Sequence, residues 1–420
     1  GSAMEGELVV KGASYLHGID TLRSMLNHGM DCASEVQKWR WDHEPYYDPD
    51  PAPGVKSVYT KHGVFVDLPE AVDYAFFDMD IATANKMDPM QRSCLKQGYR
   101  AFVNAKMTRH SLQGSRTGVY AGSMNYDFLM EVTGILDRGT QANLANRISH
   151  VLGLCGPSIF VDTGCSSSLV SADLAATHVR KGRISNGLAL GVNHLLSPMM
   201  YLQRCFGRLL STVGRSAAFD ANSDGYVVGE GCGAVVVGWS SKAADSTGIW
   251  RASQIMQDGR SAQLTAPSGP AQNELVRDTM RRAFVEPSEI VASEAQCNGS
   301  HMGDPIELGA LQKIHSKSIR ENPLLLVSGK TNKGHQEGNA GVSGIIKCMM
   351  LLESRSVPPI IHFQSLNPHI DVEGLPWLFP SEGLYISRQE VTTVSGSSFG
   401  FGGVNGHFIM EAKERRRGGG

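Results

Sequence analysis

Four stretches carry residues whose types and spacing suit chemistry. In GPSIFVDTGCSSSLVSADLAA, an apolar run ends in Asp162-Thr163-Gly164 and the chain turns into a helical pattern beginning at Cys165. A thiol at a helix N-terminus faces unpaired N–H groups and the positive end of the macrodipole, which favour a thiolate by about 0.3–1 kcal/mol. Gly164, Ser166, Ser167 and Ser168 leave room for a substrate, so the position suits a nucleophile. A buried cysteine in a strand-to-helix turn fits the same residues, and the stretch alone does not choose. In LVSGKTNKGHQEGNAGVSGIIK, Lys330 follows an apolar run and His335 sits between Gly334 and Gly338. Such an imidazole reads as sterically open, able to donate to a developing oxyanion or share a proton with a thiol. Taken alone, a structural turn histidine and a surface lysine are the plainer readings. In GSSFGFGGVNGH, Gly396, Gly400, Gly402 and Gly403 let the backbone approach a ligand or another loop, with Phe399 and Phe401 as core plugs or movable pocket walls. Amide N–H groups freed there are candidate oxyanion donors, although glycine-rich loops are common.

The fourth stretch, SEAQCNGSHMGDPIE over 293–307, is a polar loop entering a helix through Ile306 and Glu307. At its centre stands Gln296, an amide that cannot take a proton at neutral pH. Cys297 stands beside it, and His301 follows five residues after Gln296.

Positioning these loops requires strands and helices joined by tight turns. Buried-strand candidates are TGVYAG near 117, SIFVD at 158, GLALGVN at 187, GAVVVGW at 233, GIWRASQIM at 248, LLLVSG at 324 and VTTVSG at 391. Helical patterns follow Cys165 and residue 340, which points to an α/β fold with largely buried sheets. The theme occurs twice: residues 1–239 and 248–413 form two halves, SSKAADST is the joint, and 414–420 reads as a disordered tail.

Composition limits the alternatives. The 420 residues are 41% hydrophobic and 19% charged, with formal net charge -2, which suits a globular core and offers no electrostatic footprint for nucleic acid. No run approaches the roughly 20 apolar residues of a membrane-spanning helix. Eight cysteines without CxxC or metal-ligand spacing predict no metal site and a reducing compartment, cytoplasm or organelle stroma. The opening Gly1-Ser2-Ala3-Met4 reads as a cloning remnant, which leaves an upstream targeting segment open.

Together the four stretches resemble the β-ketoacyl synthase (ketosynthase) family of polyketide and fatty acid synthases. WRWDHEPYYDPDP at 39, MDPMQR at 88, GSRTGVYAG at 114 and GVNGHFIMEA near the end extend the resemblance over most of the chain. RSAAFDANSDGYVVGEG at 215, QDGRSAQLTAPSGPAQ at 257 and HFQSLNPHID at 362 look most like the type I polyketide synthase branch. The resemblance implies a thiolase fold, a duplicated five-layer αβαβα unit, usually a homodimer. It implies an acyl carrier protein as partner and no tightly bound cofactor, substrates arriving on the phosphopantetheine of the carrier or on CoA. Cys165 falls on the family's nucleophile, in VDTGCSSS where members usually read VDTACSSS, and Lys330 and His335 fall on the lysine and second histidine of a KSNxGH-like motif. The N–H groups of Cys165 and Phe401 correspond to the oxyanion hole, and Phe399 to the pocket gate. Members carry EAHGTGTxxGDPIE in the fourth loop. Gly303-Asp304-Pro305-Ile306-Glu307 anchors that alignment and puts Gln296 on the first catalytic histidine, with Asn298 and Ser300 on the threonines that hold the phosphopantetheine arm. The segment ELVVKGASYLHGIDTLRSMLNHG lacks the CRFPG-like run of type I relatives, which leaves the first strand open.

Three functional expectations follow. In the first, Cys165 is acylated from carrier thioesters while condensation is impaired or absent. In the second, the full decarboxylative Claisen condensation proceeds with Gln296 polarising the malonyl carbonyl. The third, a non-catalytic scaffold or chain-length partner, sits poorly with the presence of Cys165.

Overall fold

The computed structural model describes residues 6–52, 54–67, 72–128, 141–241, 248–316, 320, 322–387 and 392–412. Most of the joint read at SSKAADST and the tail 414–420 lie outside the described residues. Five principal strands in the first half are β1 (Glu7–Tyr15), β2 (Thr117–Gly122), β3 (Ser158–Val161), β4 (Asn186–Asn193) and β5 (Gly231–Ser240). Five in the second are β6 (Gly248–Gln257), β7 (Ile290–Glu294), β8 (Leu324–Val327), β9 (Thr393–Phe399) and β10 (Val404–Glu411).

The two halves share one topology. Strand order is β3-β2-β4-β5-β1 in the first and β8-β7-β9-β10-β6 in the second, so the second five repeat the order of the first. Parallel pairing within β3-β2-β4 and antiparallel pairing within β4-β5-β1 recur as β8-β7-β9 and β9-β10-β6. The halves meet edge to edge through β1 and β6, where Val9 pairs with Ile249 and Val10 with Gly248.

Helices complete the layers. The principal ones are α1 (Pro89–Asn104), α2 (Asn143–Leu152), α3 (Ser167–Arg180), α4 (Met199–Phe206), α5 (Gly269–Ala283), α6 (Gly303–His315), the single turn α7 (Lys330–Lys333) and α8 (Ala340–Ser354). Every residue of α8 from Ala340 to Leu352 is buried. A helix apolar on all sides belongs between layers, and α8 packs with α3 between the two sheets. Close approach needs small residues: a Cβ on Gly341 would lie 2.5 Å from the Leu169 amide nitrogen. On the outside, α1 and α2 cover the first sheet, and α5, with α6 against it, covers the second. Asp88 caps α1 by accepting from Met90 N at 2.7 Å, with Pro89 at the first helical position. This is the duplicated five-layer α/β arrangement that the resemblance implies.

The segment left open at the N-terminus forms a full strand. β1 pairs with β5 from Glu7↔Ser240 to Tyr15↔Gly233, with one register shift between Val10 and Gly12. Leu8, Val9, Val10 and Ala13 are buried, so apolar packing specifies this strand without the CRFPG-like run. No helix among the described residues is long and apolar enough to cross a membrane.

Candidate active site

All four chemistry-bearing stretches converge at the ends of β3, β7, β8 and β9. Cys165 lies just before α3, whose first helical residue is Ser167, two positions later than the sequence pattern predicts. Gly164 at φ +71° makes the turn, and Thr163 N donates to Ser167 Oγ at 2.9 Å. The glycine-rich hairpin of β9 and β10 presses on this turn: a Cβ on Gly400 would lie 2.1 Å from the Thr163 carbonyl oxygen. Ser398 Oγ donates to the Cys165 carbonyl at 2.8 Å. The Phe401 ring covers Gly164 and is otherwise exposed, whereas Phe399 is half-buried. No backbone hydrogen bond from the Cys165 or Phe401 amide to another residue's carbonyl occurs among the described residues.

The electrostatics of Cys165 differ from the expectation. Burial pushes its thiol up to about 12, with the Glu337 carboxylate adding and the Arg204 and Lys330 cations opposing. Only 8% of the residue is exposed, so lost hydration outweighs the helix terminus and the resting group is a thiol.

His335 is likewise not open. Its exposure is 0%, and the flanking glycines serve close packing: a Cβ on Gly338 would lie 2.6 Å from Ser123 Cα, and one on Gly334 2.9 Å from the Val227 carbonyl oxygen. His335 N donates to Val227 O at 2.7 Å, tying the loop to the chain after β4. Burial, then the Lys330, Arg204 and Lys333 cations, hold the imidazole well below its ordinary range, so it is neutral. Lys330 is buried too, and its Nζ donates to Ala295 O at 3.1 Å.

Gln296 meets His335 directly, amide Nε2 to imidazole Nε2 at 3.5 Å. Gln296 Oε1 and His335 Nδ1 are buried without hydrogen-bond partners among the described residues. Two carboxylates brace the Gln296 loop from below. Glu307 accepts from the Gln296 and Cys297 amides, each at 2.9 Å, and Asp304 accepts from those of Asn298, Gly299, Ser300 and Phe219 at 3.1–3.2 Å. Asp304 carried a sequence signal as an acid in the first turn of α6, where amide donors and the helix dipole favour it, whereas Glu307 stands at the fifth helical position. Cys297 turns its sulfur to Glu307 Oε2 at 3.1 Å, and burial pushes its thiol up, which suits an inert core position. Asn298 and Ser300 are both half-buried, and Ser300 Oγ accepts from Gly303 N at 3.2 Å. His301 is exposed, its ring 5.9 Å from that of His369.

Three further residues had no sequence signal. Tyr226 stands edge-on to the His335 ring, centroids 4.9 Å apart, and donates from its hydroxyl to Glu337 Oε1 at 3.1 Å. Glu337 pairs with Arg204, 133 residues distant in the chain. Among the described residues no group of three or more His, Cys, Asp or Glu is arranged for a metal ion.

The Beta-ketoacyl synthase, N-terminal domain model matches residues 12–243, and the Beta-ketoacyl synthase, C-terminal domain model matches 247–364. A phenolphthiocerol/phthiocerol polyketide synthase of Mycobacterium tuberculosis is 35% identical over 412 residues, covering 94% of this chain and 22% of the relative. Highly reducing polyketide synthase poxF of Penicillium oxalicum is 36% identical over 414 residues, covering 94% of this chain and 16% of the relative. The chain thus spans about a fifth of such relatives. Among solved structures, the ketosynthase from module 6 of the bacillaene synthase of Bacillus subtilis superposes with TM-score 0.90 at 31% identity, covering 97% of this chain and 72% of that one. An oxazolomycin ketosynthase domain of Streptomyces albus gives TM-score 0.91 at 30% identity, covering 97% and 76%. With both halves matched in order and the thiolase fold shared, the chain belongs to the β-ketoacyl synthase family, on its type I polyketide synthase branch.

Proposed function

We propose that this protein accepts acyl groups from carrier thioesters onto Cys165 and carries out decarboxylative condensation weakly or not at all. The observation that carries this reading is the Gln296 amide, 3.5 Å from the neutral His335 imidazole.

Acylation needs a nucleophile, a proton acceptor and an oxyanion site. The Cys165 sulfur would attack the thioester carbonyl as its proton leaves. The new S–C bond replaces the bond to the phosphopantetheine sulfur, and the departing thiolate takes up the proton, passed on by the neutral His335. The amides of Cys165 and Phe401 would hold the transient oxyanion. In this reading Phe399 gates the pocket, and Asn298 and Ser300 contact the phosphopantetheine arm of an acyl carrier protein.

Condensation asks for more. Loss of carbon dioxide from a malonyl group leaves an enolate, and the site must stabilise that charge. An amide donates a hydrogen bond but never becomes a cation. Removing one strong oxyanion donor lowers such rates by about 10²–10³-fold. Acylation, which relies on Cys165, His335 and the backbone amides, is spared that loss. Intact-protein mass spectrometry after mixing with an acyl-pantetheine thioester tests the first half: an adduct on Cys165 is expected, and none would defeat the proposal.

A further inference from the structure

We propose that Lys333 is an ionisable positioning residue, setting through its charge how readily His335 takes the Cys165 proton. The inference rests on the acyl-transfer reading and adds a residue to it. Lys333 fills the variable position of the KSNxGH-like motif and closes the single turn α7, two residues before His335. It is only 4% exposed; its Nζ donates to Ser343 Oγ on α8 and stands 5.9 Å from the centre of the Tyr15 ring on β1. The residue after His335 reaches the same tyrosine. Gln336 Oε1 accepts from the Tyr15 hydroxyl at 2.8 Å, and Gln336 Nε2 donates to Glu230 O at 2.7 Å. The segment bearing His335 is thus held against β1 from both of its ends.

Among the described residues Lys333 has no ion pair, because the carboxylate of this space is engaged elsewhere. Glu294 on β7 accepts from Lys347 Nζ at 2.6 Å and from Gly329 N at 2.8 Å. A Cβ on Gly329 would lie 3.2 Å from Lys333 Cε, 3.2 Å from Lys347 Cδ and 3.4 Å from Glu294 Oε1, so both lysine stems and the carboxylate crowd one buried space. The other titratable groups around the amine are Tyr15 from β1, Cys348 from α8 and Lys330 from its own turn. An ammonium with a hydroxyl and a ring face for partners is poorly compensated. Burial holds this amine down to about 7, against Glu294 and with Lys347 and Lys330 adding to the fall. Lys333 therefore changes charge near neutral pH, two residues from a ring that carries a proton during acylation. Its ammonium opposes an imidazolium at His335, and its neutral amine does not.

The test follows Cys165 adduct formation with butanoyl-pantetheine from pH 6 to 9, read by intact-protein mass spectrometry, for the native chain, Lys333→Met and Ser343→Ala. Methionine keeps the length of the buried stem and removes the charge, and the growth of the Cys165 thiolate with pH cancels in the ratio of native to variant rates. That ratio should rise about three- to tenfold between pH 6 and 8, with a midpoint near 7, and stay level above. A ratio that does not change with pH would show Lys333 to be merely structural and overturn the inference, leaving acyl transfer standing. Ser343→Ala takes the hydroxyl from the ammonium and lowers its midpoint, so this variant keeps the test open even if Lys333→Met fails to fold. The ratio of native to Ser343→Ala rates should then drop about twofold or more between pH 9 and 7, and a constant ratio would overturn the inference. No adduct from the native chain at any pH would overturn acyl transfer itself and the inference with it.

Discussion

Cys165 is held between a helix terminus that favours a thiolate and a buried setting that opposes it. Burial prevails, pushing the thiol up to about 12. Below that value the thiolate fraction grows tenfold per pH unit, so alkylation of the Cys165 peptide by iodoacetamide should rise about 100-fold from pH 7 to 9 without a plateau. A plateau near pH 8 would mean that the dipole and the nearby cations prevail. At Gln296 the opposite kind of change is informative: Gln296→His should raise carbon dioxide release from a malonyl thioester by about 10–10³-fold. The carrier-malonyl assay would read it, and a gain of only two- or three-fold would favour complete condensation by the native chain. Gln296 was legible in the sequence because the Gly303–Glu307 anchor fixes its place. Arg204 and Glu337 were not, since their pairing across 133 residues exists only after the halves have folded together.

At the scale of elements, apolar runs marked seven of the ten principal strands, because strands buried on two faces lose the period-two alternation, whereas β1, β7 and β10 were not among the candidates. Loop geometry was harder to read. The glycines around His335 looked like open space, yet they admit neighbouring backbone. Gly400 shows the same use, and Gly400→Ala should cost about 1–3 kcal/mol, measured as a lowered urea midpoint, because the new methyl meets the Thr163 carbonyl. The Gln296 loop depends on α6 more heavily. Asp304 accepts from four amides, and Asp304→Ala would strand them, at a cost of about 3 kcal/mol or more in the same measurement. A loss below about 1 kcal/mol would show that the loop holds its shape without this brace.

Across the whole molecule, duplication buries titratable groups of both kinds. His194, His315 and His407 are held down to about 3 by burial, and His335 is held well below its usual range. Because the unfolded chain takes up protons on these rings first, their contribution is complete above about pH 6.5 and is lost as pH falls. Asp88, Asp127 and Asp304, raised to about 6, and Glu230, raised to about 7, act the other way, since the folded chain protonates first and gains stability on acidification. The urea midpoint should therefore change little between pH 7 and 5, and a steep fall would show the histidines acting without that offset. The duplicated architecture itself was legible as a theme occurring twice, whereas the edge pairing of β1 with β6 emerges only in the folded chain. What the assembled site does is decided most directly by one paired measurement: incubate the protein with an acyl-pantetheine and a malonyl carrier, then record protein mass and released carbon dioxide together. An acyl adduct on Cys165 with little carbon dioxide and no β-ketoacyl product is the predicted result. Carbon dioxide and β-ketoacyl product accumulating together, turnover after turnover, would contradict it.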